Sequence, residues 1–352
     1  MKYLRKPLNK PLWLVIVADL LLVGVVLLSF AYFHHVLPSI IAQRELEAFY
    51  AQMQTTPAPT KPVDIQTQPS VGSDDPTTET TEPDNRTEWQ KKFADHFTDE
   101  VVITENSYTS PQVSVTVDKI VTGEGSNQIT YYVADIYVAS LENFKTYTAH
   151  GQMKYFDTQA AEEMAAQSNA ILAISGDFLT YQKTGFLVRN GQTYVADRNY
   201  SICALFPDGT METYDYGSYK IQDILNRNPL QVWSFGPVLL DPDGTVRDKY
   251  DVSTAVSYTN PRCAVGYYEP GHYCFVTVDG RQSHSVGMMI PQLAKVFEDL
   301  GCKAAYNLDG GGTAVMMFDG DKISKQSNGG RELGDILLIT EAGYTVHSKE
   351  KP

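Results

Sequence analysis

Four segments of the 352-residue sequence share one form: an apolar run ends in glycine beside charged or hydroxyl side chains. Ile171–Ile174 leads into Ser175-Gly176-Asp177-Phe178, and Pro261-Arg262 opens Cys263–Gly266. Cys274–Val278 leads into Asp279-Gly280-Arg281, followed by Ser283, His284, Ser285 and Gly287. Ala304–Leu308 leads into Asp309-Gly310-Gly311-Gly312-Thr313. Glycine lets a ligand approach the main chain closely. Successive amide N–H groups in such a turn can form an anion-binding concavity. Arg262, Arg281 and Arg331 are guanidinium groups suited to bidentate contacts with phosphate or carboxylate. The pattern suggests a grip on an anion beside carboxylates fixed by backbone amides. Asp-Gly by itself is most often a turn, whereas three glycines after a buried strand are harder to explain by turn geometry. His284 draws notice only because it lies in the Asp279–Gly287 loop.

The elements that must position these residues are mostly strands. Strict alternation marks Val113–Val117 and Thr130–Val138, the latter with Tyr131, Val133, Asp135 and Tyr137 on one side. Further strands are predicted at 170–174, 185–189, 201–206, 232–240, 263–268, 273–278, 304–308 and 335–340. Helices are predicted over 87–97, with Trp89, Phe93 and Phe97 on one face, over 158–169 and over 290–300. Pro207-Asp208-Gly209, Pro242-Asp243-Gly244 and Pro270-Gly271 read as turns. Regular βαβ alternation and internal repeats are missing. The expected class is α+β, with mixed, strand-rich sheets and few helices.

An N-terminal membrane segment precedes this unit. Residues 1–11 hold Lys2, Arg5, Lys6 and Lys10 and no acid, as a cytoplasmic basic tail would. Residues 12–33 carry one charge, Asp19, and would span about 33 Å as a helix, enough for a bilayer core. No small-x-small cleavage pattern follows, so a single-pass anchor is expected, with the remainder outside the cell membrane. Residues 34–53 read as a juxtamembrane helix or stalk. The Thr/Pro-rich stretch 54–86 has too few apolar side chains to offset chain entropy and reads as a disordered linker. Residues 87–346 are then the ectodomain.

With 28 Lys+Arg against 42 Asp+Glu, the net charge is −14. Such a chain repels phosphate backbones at long range, which argues against general nucleic-acid binding. Cys203, Cys263, Cys274 and Cys302 form no Cys-x-x-Cys pair, which argues against zinc. Outside a membrane they could form two disulfides, but small buried hydrophobes fit their strand positions better.

Together these pieces resemble the phosphodiester glycosidase family. The carrying residues are Arg262 with Ala264-Val265-Gly266, Asp279-Gly280-Arg281, Ser285-x-Gly287, the helix from Gln292 to Gly301, and Asn307-Leu308-Asp309-Gly310-Gly311-Gly312-Thr313. Gly330-Arg331 precedes the last strand. Upstream, Ser175–Phe178 and Phe235–Leu239 are similar to two further family turns. The likeness covers about 113–340. Departures at Ser175, Ser324, 326–328 and 332–335 border the expected pocket and bear on substrate more than on fold. The resemblance implies cleavage of a sugar C1–O–P bond through an oxocarbenium-like state. It assigns catalysis to Asp309, Asp177 and Asp279, with Asp309 and Asp177 favoured and Asp279 better suited to orienting an arginine, and substrate or phosphate binding to Arg262, Arg281, Ser285, Gly310, Gly311, Gly312, Thr313 and Arg331. The scheme calls for no metal and no cofactor. The implied partner is a sugar-phosphodiester glycan of a cell-surface, exopolysaccharide or wall polymer. The alternative is a carbohydrate-binding or polymer-assembly protein without turnover on the same fold.

Overall fold

A computed structural model describes residues 12–32, 84–178 and 184–346. The basic tail, the stalk and nearly all of the linker expected above lie outside the described residues. The chain divides into two units, residues 1–61 and 62–352. In the first, Leu12–Ala31 forms α1, 20 residues long. Ile16, Leu20, Leu21, Leu22, Val23, Val25, Val26 and Leu27 are all exposed on it. Consecutive positions point around the whole helix, so its apolar surface is not confined to one face. Among the described residues, no helix is long and apolar enough to cross a membrane. The span expected over 12–33 therefore rests on the sequence.

The second unit is built from three strand-rich sheets, but they are not mixed as expected: among the described residues every strand pairing is antiparallel. The largest contains β1 (Val102–Ile103), β2 (Ser107–Thr109), β3 (Val113–Thr122), β4 (Ile129–Val138), β12 (Arg262–Glu269), β13 (His272–Val278) and β14 (Ala304–Leu308). Its order is β1-β2-β3-β4-β13-β12-β14. A second sheet holds β7 (Phe186–Arg189), β8 (Gln192–Ala196), β9 (Ile202–Leu205), β10 (Met211–Tyr214) and β11 (Gln231–Trp233), in the order β10-β9-β11-β7-β8. The third holds β5 (Phe144–Thr148), β6 (Leu172–Ser175), β15 (Met316–Phe318), β16 (Asp321–Lys322) and β17 (Asp335–Ile339), in the order β16-β15-β6-β17-β5. The helices of this unit are α2 (Glu88–Lys92), α3 (Ala161–Gln167), α4 (Ile221–Leu225), α5 (Thr254–Ser257) and α6 (Ile290–Asp299).

Side-chain alternation explains how one core joins three sheets. Val265 and Phe275 of the first sheet, Cys203 and Trp233 of the second, and Leu172, Ile174, Leu337 and Ile339 of the third meet in one cluster. The intervening residues face the other way. Ala264, Val276 and Val278 pack on Leu293, Ala294 and Phe297 of α6. Ala173, Ile336 and Leu338 pack on Ala161, Met164 and Ala165 of α3. Strands covered on both faces read as continuous apolar runs, which is why β6, β14 and β17 were legible.

Several boundaries moved, for local reasons. The 158–169 helix begins only at Ala161, because Gln159 pairs with Leu333 as an isolated bridge and Thr158 donates its hydroxyl to Glu332. The strand expected over 232–240 stops at Trp233, since Gly236 at φ 80° turns the chain, and bridging resumes at Val238. All four cysteines are buried free thiols, with Cys274 and Cys302 sulfurs 3.6 Å apart, so the disulfide alternative is not realised.

Candidate functional site

The first sheet brings two of the glycine turns to one edge. In its register Arg262 opposes Val278, and Cys263 opposes Leu308. The start of β12 therefore lies between the end of β13, which leads to Asp279, and the end of β14, which leads to Asp309. The third sheet delivers the remaining turn: the Asp309 amide donates to the Gly176 carbonyl at 2.9 Å. Glycine is required at both seams. A Cβ on Gly176 would sit 2.4 Å from Asp335 Oδ1, and one on Gly310 would sit 2.5 Å from the Pro261 carbonyl oxygen.

These turns wall a cleft of about 630 Å³ whose polar lining includes Asn260, Arg262, Arg281, Asp309 and Arg331. Phe178 and Phe235 supply aromatic walls, and Gly310–Gly312 one rim. A larger recess of about 880 Å³ lies elsewhere, beside Asn143, Lys145, Thr146, Tyr147 and Asn190. None of the predicted site residues lines it, so the smaller cleft is the candidate.

Among the described residues, Asp309 is the only Asp or Glu lining the smaller cleft. It is 8% exposed, and burial pushes its pKa up to about 6; Arg331, whose Nη2 lies 3.0 Å from Oδ2, pulls the other way. The Asp177 charge adds to the upward shift. Arg262 is 4% exposed, and burial followed by the Arg281 charge lowers its pKa to about 9. Its Nε donates to Met288 O, and its Nη2 to Val256 O and Tyr258 O, at 2.6–3.0 Å. Arg281 donates from Nη2 to Asn260 Oδ1 at 2.6 Å. Among the described residues no carboxylate forms an ion pair with Arg262 or Arg281. The cleft thus presents two guanidinium groups held by neutral oxygens beside a carboxylate poised near neutrality.

Other predicted residues stand off the cleft. Asp177 lies behind the wall with a fully buried side chain, where its Oδ2 accepts from Arg189 Nη2 at 2.8 Å and from the Ser234 amide at 3.0 Å. Asp279 does not orient an arginine. Its carboxylate pairs with His284 Nε2 at 2.9 Å and accepts the Lys325 amide at 2.8 Å. Ser285 donates to the Asp279 carbonyl and receives the Thr130 amide, tying the loop to β4. Thr313 is buried and donates to Gly310 O at 2.8 Å, shaping the turn from within. Two of the three glycines assigned to phosphate binding have amides already engaged: Gly311 donates to Pro261 O, and Gly310 is directed at the Asp309 carboxylate. Sequence reasoning passed over Arg189 and Asp335, whose Nε and Oδ2 lie 2.8 Å apart with neither side chain more than 1% exposed. The available signal was an arginine closing the apolar run Phe186-Leu187-Val188. Among the described residues, no three His, Cys, Asp or Glu side chains gather as metal ligands would.

Residues 168–340 match the model of a family described as phosphodiester glycosidase. The SPbeta prophage-derived uncharacterized protein YomE of Bacillus subtilis (strain 168) is 28% identical over 198 residues, covering 53% of this chain and 31% of that protein. The chain therefore spans about a third of the length of the curated relative it matches. Among solved structures, the zebrafish N-acetylglucosamine-1-phosphodiester alpha-N-acetylglucosaminidase catalytic domain, auto-inhibited by its pro-peptide, aligns with a TM-score of 0.55 at 20% identity. That alignment covers 69% of this chain and 88% of the zebrafish domain, and what the two share at that identity is the fold.

Proposed function

Residues 168–340 form a phosphodiester glycosidase family domain, and from that premise we propose that the glycine-walled cleft hydrolyses a sugar-1-phosphodiester. The observation that carries this reading is the pairing of Arg262 and Arg281, two like charges on one wall without a carboxylate partner, with Asp309 beside them. An anionic phosphodiester between the arginines offsets their mutual repulsion and places its anomeric carbon near Asp309. Water forms the new bond to C1, the C1–O–P bond breaks, and the phosphate oxygen leaves with the electron pair. Ionised Asp309 accepts the proton of the attacking water. The departing phosphomonoester is a weak base, so proton donation to it matters less. Phe178 and Phe235 offer apolar faces to the sugar ring.

We further propose, on the sequence, that the stretch 12–33 anchors the chain in the cell membrane. Asp19 is its one charge, and the preceding Lys2, Arg5, Lys6 and Lys10 favour a cytoplasmic N-terminus. The substrate is then a surface, exopolysaccharide or wall polymer containing sugar phosphodiesters. The full chain in mild detergent, given an α-N-acetylglucosamine-1-phosphodiester, is expected to release free sugar. Binding without release transfers the assignment to a non-catalytic carbohydrate-binding role. Recovery of the chain in the soluble fraction after alkaline extraction of membranes removes the anchor.

A further inference from the structure

Behind the cleft, Arg189 bridges two carboxylates from different places in the fold. Its Nη2 lies 2.8 Å from Asp177 Oδ2, and its Nε 2.8 Å from Asp335 Oδ2. Nη1 donates to the carbonyls of Val188 and Val232 at 3.0 and 2.5 Å. Asp335 Oδ1 accepts the Asp177 amide at 2.8 Å. Asp177 Oδ1, by contrast, is buried without a hydrogen-bond partner. Two acids around one cation leave a net charge of −1 in a region closed to solvent, and so weakly screened. That charge has a short backbone route to the chemistry, because the carbonyl of Gly176, next to Asp177, accepts a hydrogen bond from the Asp309 amide.

We propose that Arg189 and Asp335 are positioning residues for the hydrolysis assigned above: through Asp177 they hold the Asp309 turn and set the field in which Asp309 exchanges its proton. The groups facing Asp309 are Arg331 from the loop before β17, Arg262 and Cys263 from β12, Arg281 from the loop after β13, and Asp177. Asp177 is faced by Arg189 of β7, Asp335 of β17, Tyr306 of β14 and Cys203 of β9. Of these, Asp177 opposes Asp309 ionisation, and Arg189 tempers it. Burial likewise raises the pKa of Asp335, with Asp177 adding and Arg189 subtracting.

The proposal rests on the hydrolase reading, so its test needs a readout independent of turnover. Asp335→Asn keeps the shape and removes one negative charge. Arg189→Gln removes the cation. In the full chain in detergent, the acid limb of kcat/KM should move to lower pH in D335N and to higher pH in R189Q. The expected shift is on the order of half a pH unit to one unit. Opposite displacements are a signature that loss of packing does not produce. In parallel, the pH midpoint of the stability difference between each protein and its Asp309→Asn partner reports Asp309 titration without substrate. It should shift in the same direction. An unmoved midpoint in folded D335N overturns the proposal, even if R189Q fails to fold. An unmodified chain that releases no sugar, yet shows the shifted midpoint, overturns the hydrolase reading and leaves the electrostatic coupling standing.

Discussion

Asp309→Asn should leave the protein inactive and more stable, with the gain present only at neutral and alkaline pH. Burial raises the folded-state pKa of Asp309 from 3.8 to about 6. A shift of about two units corresponds to ~3 kcal/mol between the two protonation states. The sign follows from linkage. Between the unfolded and folded values the native chain binds more protons than the unfolded one, so stability falls as pH rises. Below about pH 4 both states are protonated and nothing is lost; above about 6 the ~3 kcal/mol penalty is fully expressed. Asparagine removes it. The pull of Arg331, whose side chain is 46% exposed, is already contained in the value of about 6 and is not subtracted again. The net expectation is a gain of about 3 kcal/mol at pH 8, shrinking toward zero at pH 4. Urea denaturation of the full chain in detergent at both pH values measures this, beside turnover, which should fall at least ~10²-fold. A D309N protein less stable than its parent at pH 8 refutes the desolvation argument. Near-normal turnover removes Asp309 from the mechanism.

Three other substitutions address separate parts of the cleft. Arg281→Ala, at an exposed residue, should leave the unfolding transition in place and lower kcat/KM by about 10²-fold, as expected for loss of a charge-assisted contact to phosphate; unchanged kcat/KM would make Arg281 structural. Arg331→Ala removes the cation that lowers the Asp309 pKa, so the acid limb of the pH–rate profile should move to higher pH; a move to lower pH contradicts the pairing at 3.0 Å. Gly310→Ala drives a Cβ to 2.5 Å from a backbone oxygen and should lower stability by ~1–3 kcal/mol, read as the urea midpoint; a neutral result shows that the seam can open.

Two copies of the same dipeptide show where reading the sequence reached and where it stopped. Asp279-Gly280 and Asp309-Gly310 both follow buried strands beside β12, and both turns therefore lie near Arg262. The sequence could locate them, because strands covered on both faces appear as unbroken apolar runs that end at the turns. It could not tell their carboxylates apart. What separates them is distant in the chain. The Lys325 amide, 46 residues on, and His284 take up the Asp279 carboxylate inside the protein. Among the described residues, Asp309 has only the half-exposed Arg331 as an ion-pair partner, and it stays on the cleft wall. The same limit hid Arg189 and Asp335, which sit in different sheets and meet only because the sheets pack on a common core. Local pattern thus identified which turns converge. Long-range pairing decided that Asp309 is left to titrate and that Asp279 serves as an internal brace.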